Sequence, residues 1–290
     1  MKISTEFNSS AKIVGEEKAV ELIAKAGFEA WDISLHRMMT YHPETGRRTI
    51  NYDHPFASKD YVKHVRHLRQ IGLDNGIVCN QAHAPFSPKD PELGTSFKRT
   101  IECAAEAGAP SVVFHTMTRE SLESNIGLFA ALVPFAKDYG VKIAVENTYL
   151  WPKGQEFAGP DPVSTPETMR EMLNRINDDY LVACIDIGHA EISSMGTNAP
   201  EMIRAVGPKL ACLHVQDCDH VHDSHALPFT KDVDFSAVIK ALKDVNYEGD
   251  MTLECSSHLH YYCMEDPTKI EEGLKMMHDA AARLRDMFYA

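Results

Sequence analysis

Six side chains able to hold a metal ion follow one another from the third apolar run onward: His83, His115, Glu146, Asp186, His214 and Glu254, at intervals of 28 to 40 residues. Each stands at or just past the end of a short apolar run. Asp, Glu and His make up about a fifth of the chain, so six such ends in succession would arise by chance at well under ~1%. The carboxylates are the most telling. Glu146 follows Ile143-Ala144-Val145, Asp186 lies between Ile185 and Ile187, and Glu254 follows Met251-Thr252-Leu253. A carboxylate in such surroundings is costly without a cation or strong donors, and three facing one axis repel. A divalent cation held by Glu146, Asp186 and Glu254, with His214 as a fourth ligand, is the simplest solution. Three carboxylates and one imidazole make a hard site, which favours Mn²⁺, Mg²⁺ or Co²⁺; Zn²⁺ enters if further histidines fill a second site.

Two local motifs add to the set. In Asp186-Ile187-Gly188-His189 an imidazole follows the carboxylate by three residues, so both can reach one cavity from one strand end. In Asp223-Ser224-His225 an acid and an imidazole alternate, close to Pro228-Phe229. His220 and His222 read as members of a solvated polar loop.

The elements that must position these groups are legible as an alternation. Eight short apolar runs, Lys2–Phe7, Ala30–Leu35, Gly76–Ala82, Ser111–His115, Lys142–Glu146, Leu181–Ile187, Leu210–Val215 and Met251–Cys255, have the character of parallel strands covered on both faces. Between and after them, Glu16–Ala26, Lys59–Asn75, Glu92–Ala107, Ser121–Tyr139, Pro166–Asn177, Pro200–Val206, Phe235–Val245 and Pro267–Phe288 repeat apolar residues at helical spacing. Gly27, Gly76, Gly108, Gly140, Gly207 and Gly249 stand where a helix must stop before the next strand. Thr165-Pro166 and Asp266-Pro267 read as helix entries. The pattern predicts a (β/α)₈ TIM barrel, one domain over residues 1–290, near the roughly 250 residues typical of that fold. The long connections His36–Ser58, Thr148–Ser164 and Gln216–Asp232 then leave C-terminal strand ends, the face where function sits.

Composition narrows the partners. With 29 Lys and Arg against 42 Asp and Glu, the formal net charge is −13, which argues against affinity for nucleic acid or an anionic membrane and for a small, mostly uncharged substrate. Met1–Phe7 has no apolar leader pattern, and no stretch approaches the ~18 apolar residues of a membrane span, so a cytoplasmic location is expected. The seven cysteines have no framework spacing and read as buried thiols. Oligomerisation is left open.

The residues resemble the xylose-isomerase-like TIM barrels, a family of sugar phosphate isomerases and epimerases that also holds inosose dehydratase and, more distantly, the apurinic endonucleases. The resemblance spans essentially the whole chain. It is carried by Ala144-Val145-Glu146-Asn147, Asp186-Ile187-Gly188-His189, Leu213-His214-Val215-Gln216-Asp217, Pro228-Phe229 with Val233-Asp234-Phe235, and Leu253-Glu254. It implies a Mn²⁺-like ion on Glu146, Asp186, His214 and Glu254, with Glu146 and Glu254 also moving the proton of an enediolate mechanism. His83, His115, His189 and His225 are expected to bind substrate; together with Asp223 they also resemble the additional ligands of the multi-zinc endonucleases. The likeness departs at His220, where ketose epimerases commonly carry an arginine, and at Thr230-Lys231-Asp232, where a glycine-containing stretch is usual. The implied activity is metal-dependent isomerisation or epimerisation of a sugar or sugar derivative. A dehydratase using the same enediolate, a metal-dependent hydrolase and a non-catalytic metal-bound barrel are the alternatives.

Overall fold

The computed structural model describes residues 1–45, 47–86, 93–151 and 155–290. Eight parallel strands form one sheet: β1 (Ile3–Glu6), β2 (Ala30–Ser34), β3 (Val78–His83), β4 (Ser111–His115), β5 (Lys142–Glu146), β6 (Leu181–Asp186), β7 (Leu210–His214) and β8 (Met251–Leu253). Their order is β7-β6-β5-β4-β3-β2-β1-β8. The two edges meet where the Val215 N–H donates to the Thr252 carbonyl at 2.9 Å and the Glu254 N–H to the Val215 carbonyl at 3.0 Å. The sheet thereby curls into the expected (β/α)₈ barrel, and each apolar run of the sequence contributes one strand.

The main helices lie outside: α1 (Glu16–Ala26), α2 (Tyr61–Asp74), α3 (Leu93–Ala107), α4 (Leu122–Tyr139), α5 (Pro166–Ile176), α6 (Ala199–Val206), α7 (Phe235–Asp244) and α8 (Ile270–Tyr289). Glu92, the expected start of α3, lies outside the described residues. Thr165 caps α5 in a reciprocal box with Thr168, because a hydroxyl before proline can satisfy an N–H that the first turn leaves free. At one stop the reading needs correction. Before β8 it is Asn246, at φ 54°, that takes the left-handed position. Gly249 instead makes room for the Tyr247 ring, which a β-carbon there would strike.

Helix faces bury Trp31, Phe97, Phe114 and Phe129 completely against the outside of the barrel. Inside, Val113, Ala144, Val182, Cys184 and Cys212 form a separate apolar cluster on the β4–β7 side. The opposite side is polar. Ser4 Oγ donates to Asn80 Oδ1 at 2.7 Å, Asn80 Nδ2 to Thr252 Oγ1 at 3.0 Å, Thr252 Oγ1 to Gln81 Oε1 at 3.3 Å, and Gln81 Nε2 to Asp32 Oδ2 at 2.8 Å. All seven cysteines are buried and unpaired, as their apolar neighbours predict. Two strand-end connections carry structure of their own. An antiparallel hairpin, Met39–His42 with Arg47–Ile50, follows β2, and Tyr149–Leu150 pairs with Gly159–Pro160 after β5. Among the described residues no helix is long and apolar enough to cross a membrane.

Candidate functional site

Parallel pairing in register brings the C-terminal ends of the strands to one level, and the six side chains named from spacing converge there. Glu146, Asp186 and His214 are the last residues of β5, β6 and β7, and Glu254 follows β8. One ligating atom from each of these four lies within 4.8 Å of the others. His214 Nδ1 is 3.0 Å from Glu146 Oε1 and 3.3 Å from Glu254 Oε2. His115 Nε2 is 2.8 Å and His83 Nε2 3.4 Å from Glu146 Oε2, and His83 Nδ1 is 3.4 Å from Glu254 Oε1. His189, Asp223 and His225 form an adjoining group, with Asp223 Oδ2 3.5 Å from His189 Nε2 and 3.1 Å from His225 Nε2.

Neighbouring groups hold these rings and carboxylates in place. The Asn147 side chain accepts from the Asp186 N–H at 2.8 Å and donates to the Asp186 carbonyl at 3.0 Å, extending the β5–β6 pairing past the strand ends. The Asn147 carbonyl accepts from His189 Nδ1 at 2.9 Å, and the Glu254 carbonyl from His225 Nδ1 at 2.8 Å. Both rings therefore present Nε2 to Asp223. Gln216 Nε2 donates to Asp223 Oδ1 at 2.8 Å and lies 3.2 Å from Asp186 Oδ1. The glycine of Asp186-Ile187-Gly188-His189 is explained by this amide, since a β-carbon at Gly188 would collide with it. On the far side of His214, Nε2 faces Asp32 Oδ2 at 3.5 Å, so the polar side of the barrel ends on a ring of the cluster.

Charge is the organising problem of this site. Among the described residues, every ion-pair partner of Glu146, Asp186, Asp223 and Glu254 is a histidine. Burial alone would raise the Glu146 pKa, but His214 and His115 outweigh it and hold the group well below the usual carboxylate range. Glu254 is lowered in the same way, against burial, chiefly by His214 and His83. At Asp186 burial prevails over His189 and pushes the pKa up to about 6. Burial lowers the imidazoles, yet the surrounding carboxylates raise His83 to about 9 and His225 to about 10 and lift His189 and His214 well above the ordinary value. Without a metal, imidazolium is the counter-charge the fold can offer; a divalent cation does the same work with donors already converged. The donor set fits such an ion. Glu146 Oε2 and His83 Nδ1, both turned toward the cluster, are buried without a hydrogen bond, which a close-packed interior rarely leaves without a reason.

A cavity of about 320 Å³ opens onto the cluster. His83, His115, His189 and His225, expected as substrate-binding residues, line it together with Glu254 and Asp223. Glu146, Asp186 and His214 are wholly buried behind that wall. Sequence reasoning did not single out Asp32, Gln81 or Tyr149, whose hydroxyl donates to Asp223 Oδ2 at 2.9 Å. Asp32 carried a usable signal, an acid inside the apolar run Ala30–Leu35. His220 is more constrained than a solvated loop residue: its ring nitrogens lie 2.9 Å from the Glu191 carbonyl and 3.0 Å from that of Asp232. His222 is exposed, as expected.

The family described as xylose isomerase-like TIM barrel matches residues 20–280. An uncharacterized protein of Methanocaldococcus jannaschii is 26% identical over 275 residues, covering 89% of this chain and 83% of that protein. An inosose isomerase of Bacillus subtilis is 24% identical over 211 residues, covering 68% and 71%. Among solved structures, D-psicose 3-epimerase in the presence of D-fructose superposes with a TM-score of 0.71 at 16% identity, covering 100% of both chains. A D-tagatose 3-epimerase-like protein gives 0.66 at 21% identity, covering 94% of this chain and 99% of that one.

Proposed function

Because the chain belongs to the xylose isomerase-like TIM barrel family, we propose that it is a metal-dependent isomerase or epimerase of a sugar or sugar derivative. The observation that carries the reading is the convergence of Glu146, Asp186, His214 and Glu254 within 4.8 Å, beside a cavity of about 320 Å³. These four residues hold the ion, with Mn²⁺ the best match to three oxygen donors and one nitrogen. When bound, the ion supplies Lewis-acid polarisation of a carbonyl or hydroxyl oxygen. Residues 1–290 act as one domain, in the cytoplasm, on a small carbohydrate.

The chain's own residues then move the proton. Glu254 faces the cavity as a carboxylate, so it can take a proton from the carbon beside a carbonyl, leaving an enediolate. Return of a proton to the opposite face of that carbon, from Glu146, epimerises it; return by Glu254 to the former carbonyl carbon, once a proton has passed between the two enediolate oxygens, gives the isomer. His83, His115, His189 and His225 orient hydroxyls along the wall. The test is metal analysis of the purified protein followed by a panel of ketoses and inososes in D₂O. The expected result is turnover that disappears on chelation and returns with Mn²⁺, with deuterium in the product at the reacting carbon.

A second reading rests on a separate observation. Three further donor groups overlap or adjoin the first among the described residues: His83 with His115 and Glu146, His83 with His214 and Glu254, and His189 with Asp223 and His225. If these groups held more than one ion, they would supply the multi-metal chemistry of a hydrolase acting on a phosphate ester. The net charge of −13 disfavours a nucleic acid as its substrate. One ion per chain favours the isomerase; two or three, with phosphatase activity and no ketose turnover, favour the hydrolase.

A further inference from the structure

A second hollow, of about 190 Å³, opens beside the main cavity and shares Asn8, Lys12, His36 and Phe86 with it. Its remaining wall comes from the hairpin after β2, where Arg48 stands across from Tyr41. The Arg48 guanidinium carbon lies 5.0 Å from the centre of the Tyr41 ring and 4.5 Å from that of Phe86. Phe86 in turn stacks on His36 at 5.1 Å and contacts the His115 ring at 4.6 Å. One aromatic ring therefore separates the guanidinium from the strand-end cluster.

Five arginines are neutralised by a neighbouring acid among the described residues. Arg37, Arg66, Arg175, Arg204 and Arg285 each lie against a carboxylate. Arg48, half-buried, has no carboxylate partner among the described residues, and burial without one draws its pKa below the ordinary arginine value. Lys12 likewise has no ion-pair partner among the described residues. Asn8 is buried, with its Oδ1 free of any hydrogen bond, and His36 Nε2 is in the same condition. In a chain with a net charge of −13, two cations without a carboxylate partner at one end of a cavity form a receptor for an anion, and the unpaired Asn8 oxygen beside them suits a hydroxyl of the same ligand. A guanidinium clamped between rings is pre-oriented for the planar two-point contact that carboxylate and phosphate oxygens make.

We propose that Arg48 and Lys12 form a subsite for an anionic group on the substrate, with Asn8 and His36 meeting the polar groups beside it, so that the sugar carries a carboxylate or a phosphate at the end remote from the reacting carbon. The proposal rests on the strand-end cluster being the reaction site. It places the anion site on the β2 hairpin, away from the Thr230-Lys231-Asp232 loop, and it replaces the expectation of an uncharged substrate.

The experiment measures binding to the metal-loaded protein by calorimetry, for neutral ketoses, their phosphate esters and the corresponding keto sugar acids, with inorganic phosphate as a separate probe. A charge-assisted contact of this kind gives the anionic members an advantage of about tenfold or more over their neutral parents. In Arg48→Gln and Lys12→Gln the ratio of anionic to neutral affinity falls, and Arg48→Lys retains part of it; circular dichroism verifies the fold. Preference for the esters assigns a phosphate, and preference for the acids a carboxylate. Equal affinities for charged and neutral members, or a ratio that neither substitution lowers, overturn the subsite while leaving the isomerase reading intact. If inorganic phosphate binds and weakens in Arg48→Gln although no ketose turns over, the subsite stands and the isomerase reading falls.

Discussion

Two regions of the molecule set a glutamate among histidines, and they differ in where the counter-charge comes from. At the start of α1, Glu16 Oε2 is 2.6 Å from His64 Nε2, while Oε1 is 3.2 Å from His54 Nε2 and 3.5 Å from Arg37 Nη1. One carboxylate meets two imidazoles and a guanidinium, so the chain neutralises itself, and the cluster ties α1 to α2 and to the connection after β2. At the strand ends no guanidinium or ammonium takes part among the described residues. Glu146, Asp186, Glu254 and Asp223 have histidines as their ion-pair partners, several ring nitrogens lack hydrogen bonds, and a cavity adjoins. Glutamate beside histidine is thus no sign of function by itself. What marks the strand-end cluster is that its carboxylates have no permanent cation beside them among the described residues.

The largest expected effect breaks the comparison if it fails. Glu254→Gln removes the group placed to take the proton, and loss of a general base costs on the order of 10²–10⁴ in turnover; Glu16→Gln is expected to leave turnover unchanged. Steady-state rates of the two variants, each matched to wild type by circular dichroism, decide it, and equal losses would erase the distinction. A smaller effect tests how far the cluster reaches. Asp32 lies 3.5 Å from the His214 nitrogen opposite the one facing Glu146. A carboxylate behind a ligating imidazole fixes its orientation and basicity, so Asp32→Asn should weaken metal affinity or activity by about 10- to 100-fold. Metal titration against a fluorescent competitor measures this. Unchanged affinity would make Asp32 a part of the barrel's polar interior only.

How much of this was legible in the sequence follows from what each residue's environment depends on. Strands and helices were readable because a barrel built of parallel units repeats one local pattern, and strand-end residues at 28- to 40-residue spacing inherit a common level from that repetition. Asp223 could be weighed from its neighbour His225, but its place beside His189 depends on how the 216–232 connection folds back, with Asp217 accepting N–H groups from Thr230, Lys231 and Val233. Asp32 offered a weaker signal, an acid inside an apolar run rather than at its end, and its partner His214 lies across the barrel. Arg48 had no local signal at all. Its role is set by a hairpin and by Phe86, and by the absence of a carboxylate, which only three-dimensional neighbours reveal. Gly249 misled because a glycine beside a helix end suggests a left-handed stop, whereas here a tyrosine ring needed the space.

The smallest expected effect concerns stability and its dependence on pH. Burial would raise the Glu16 pKa, but its bonds to His54 and His64 prevail and bring it from the ordinary 4.5 down to about 2 in the folded protein. A carboxyl whose folded pKa is depressed binds its proton more readily in the unfolded chain. Its stabilisation is therefore complete above the unfolded value and is lost as pH falls through the folded one. Glu16→Gln keeps the shape and one acceptor but removes the charge, so at neutral pH it should cost about 1–2 kcal/mol, the modest figure reflecting partial screening at a site close to solvent. Between pH 4.5 and about 2 the difference from wild type should shrink toward zero, because wild-type Glu16 becomes neutral as well. Urea unfolding of both proteins across that range checks it, and taking the difference cancels the other acids that titrate there. A gap that stays constant with falling pH would mean that shape, rather than charge, holds this corner together. Glu16 would then cease to be the self-neutralised counterpart against which the strand-end carboxylates stand out.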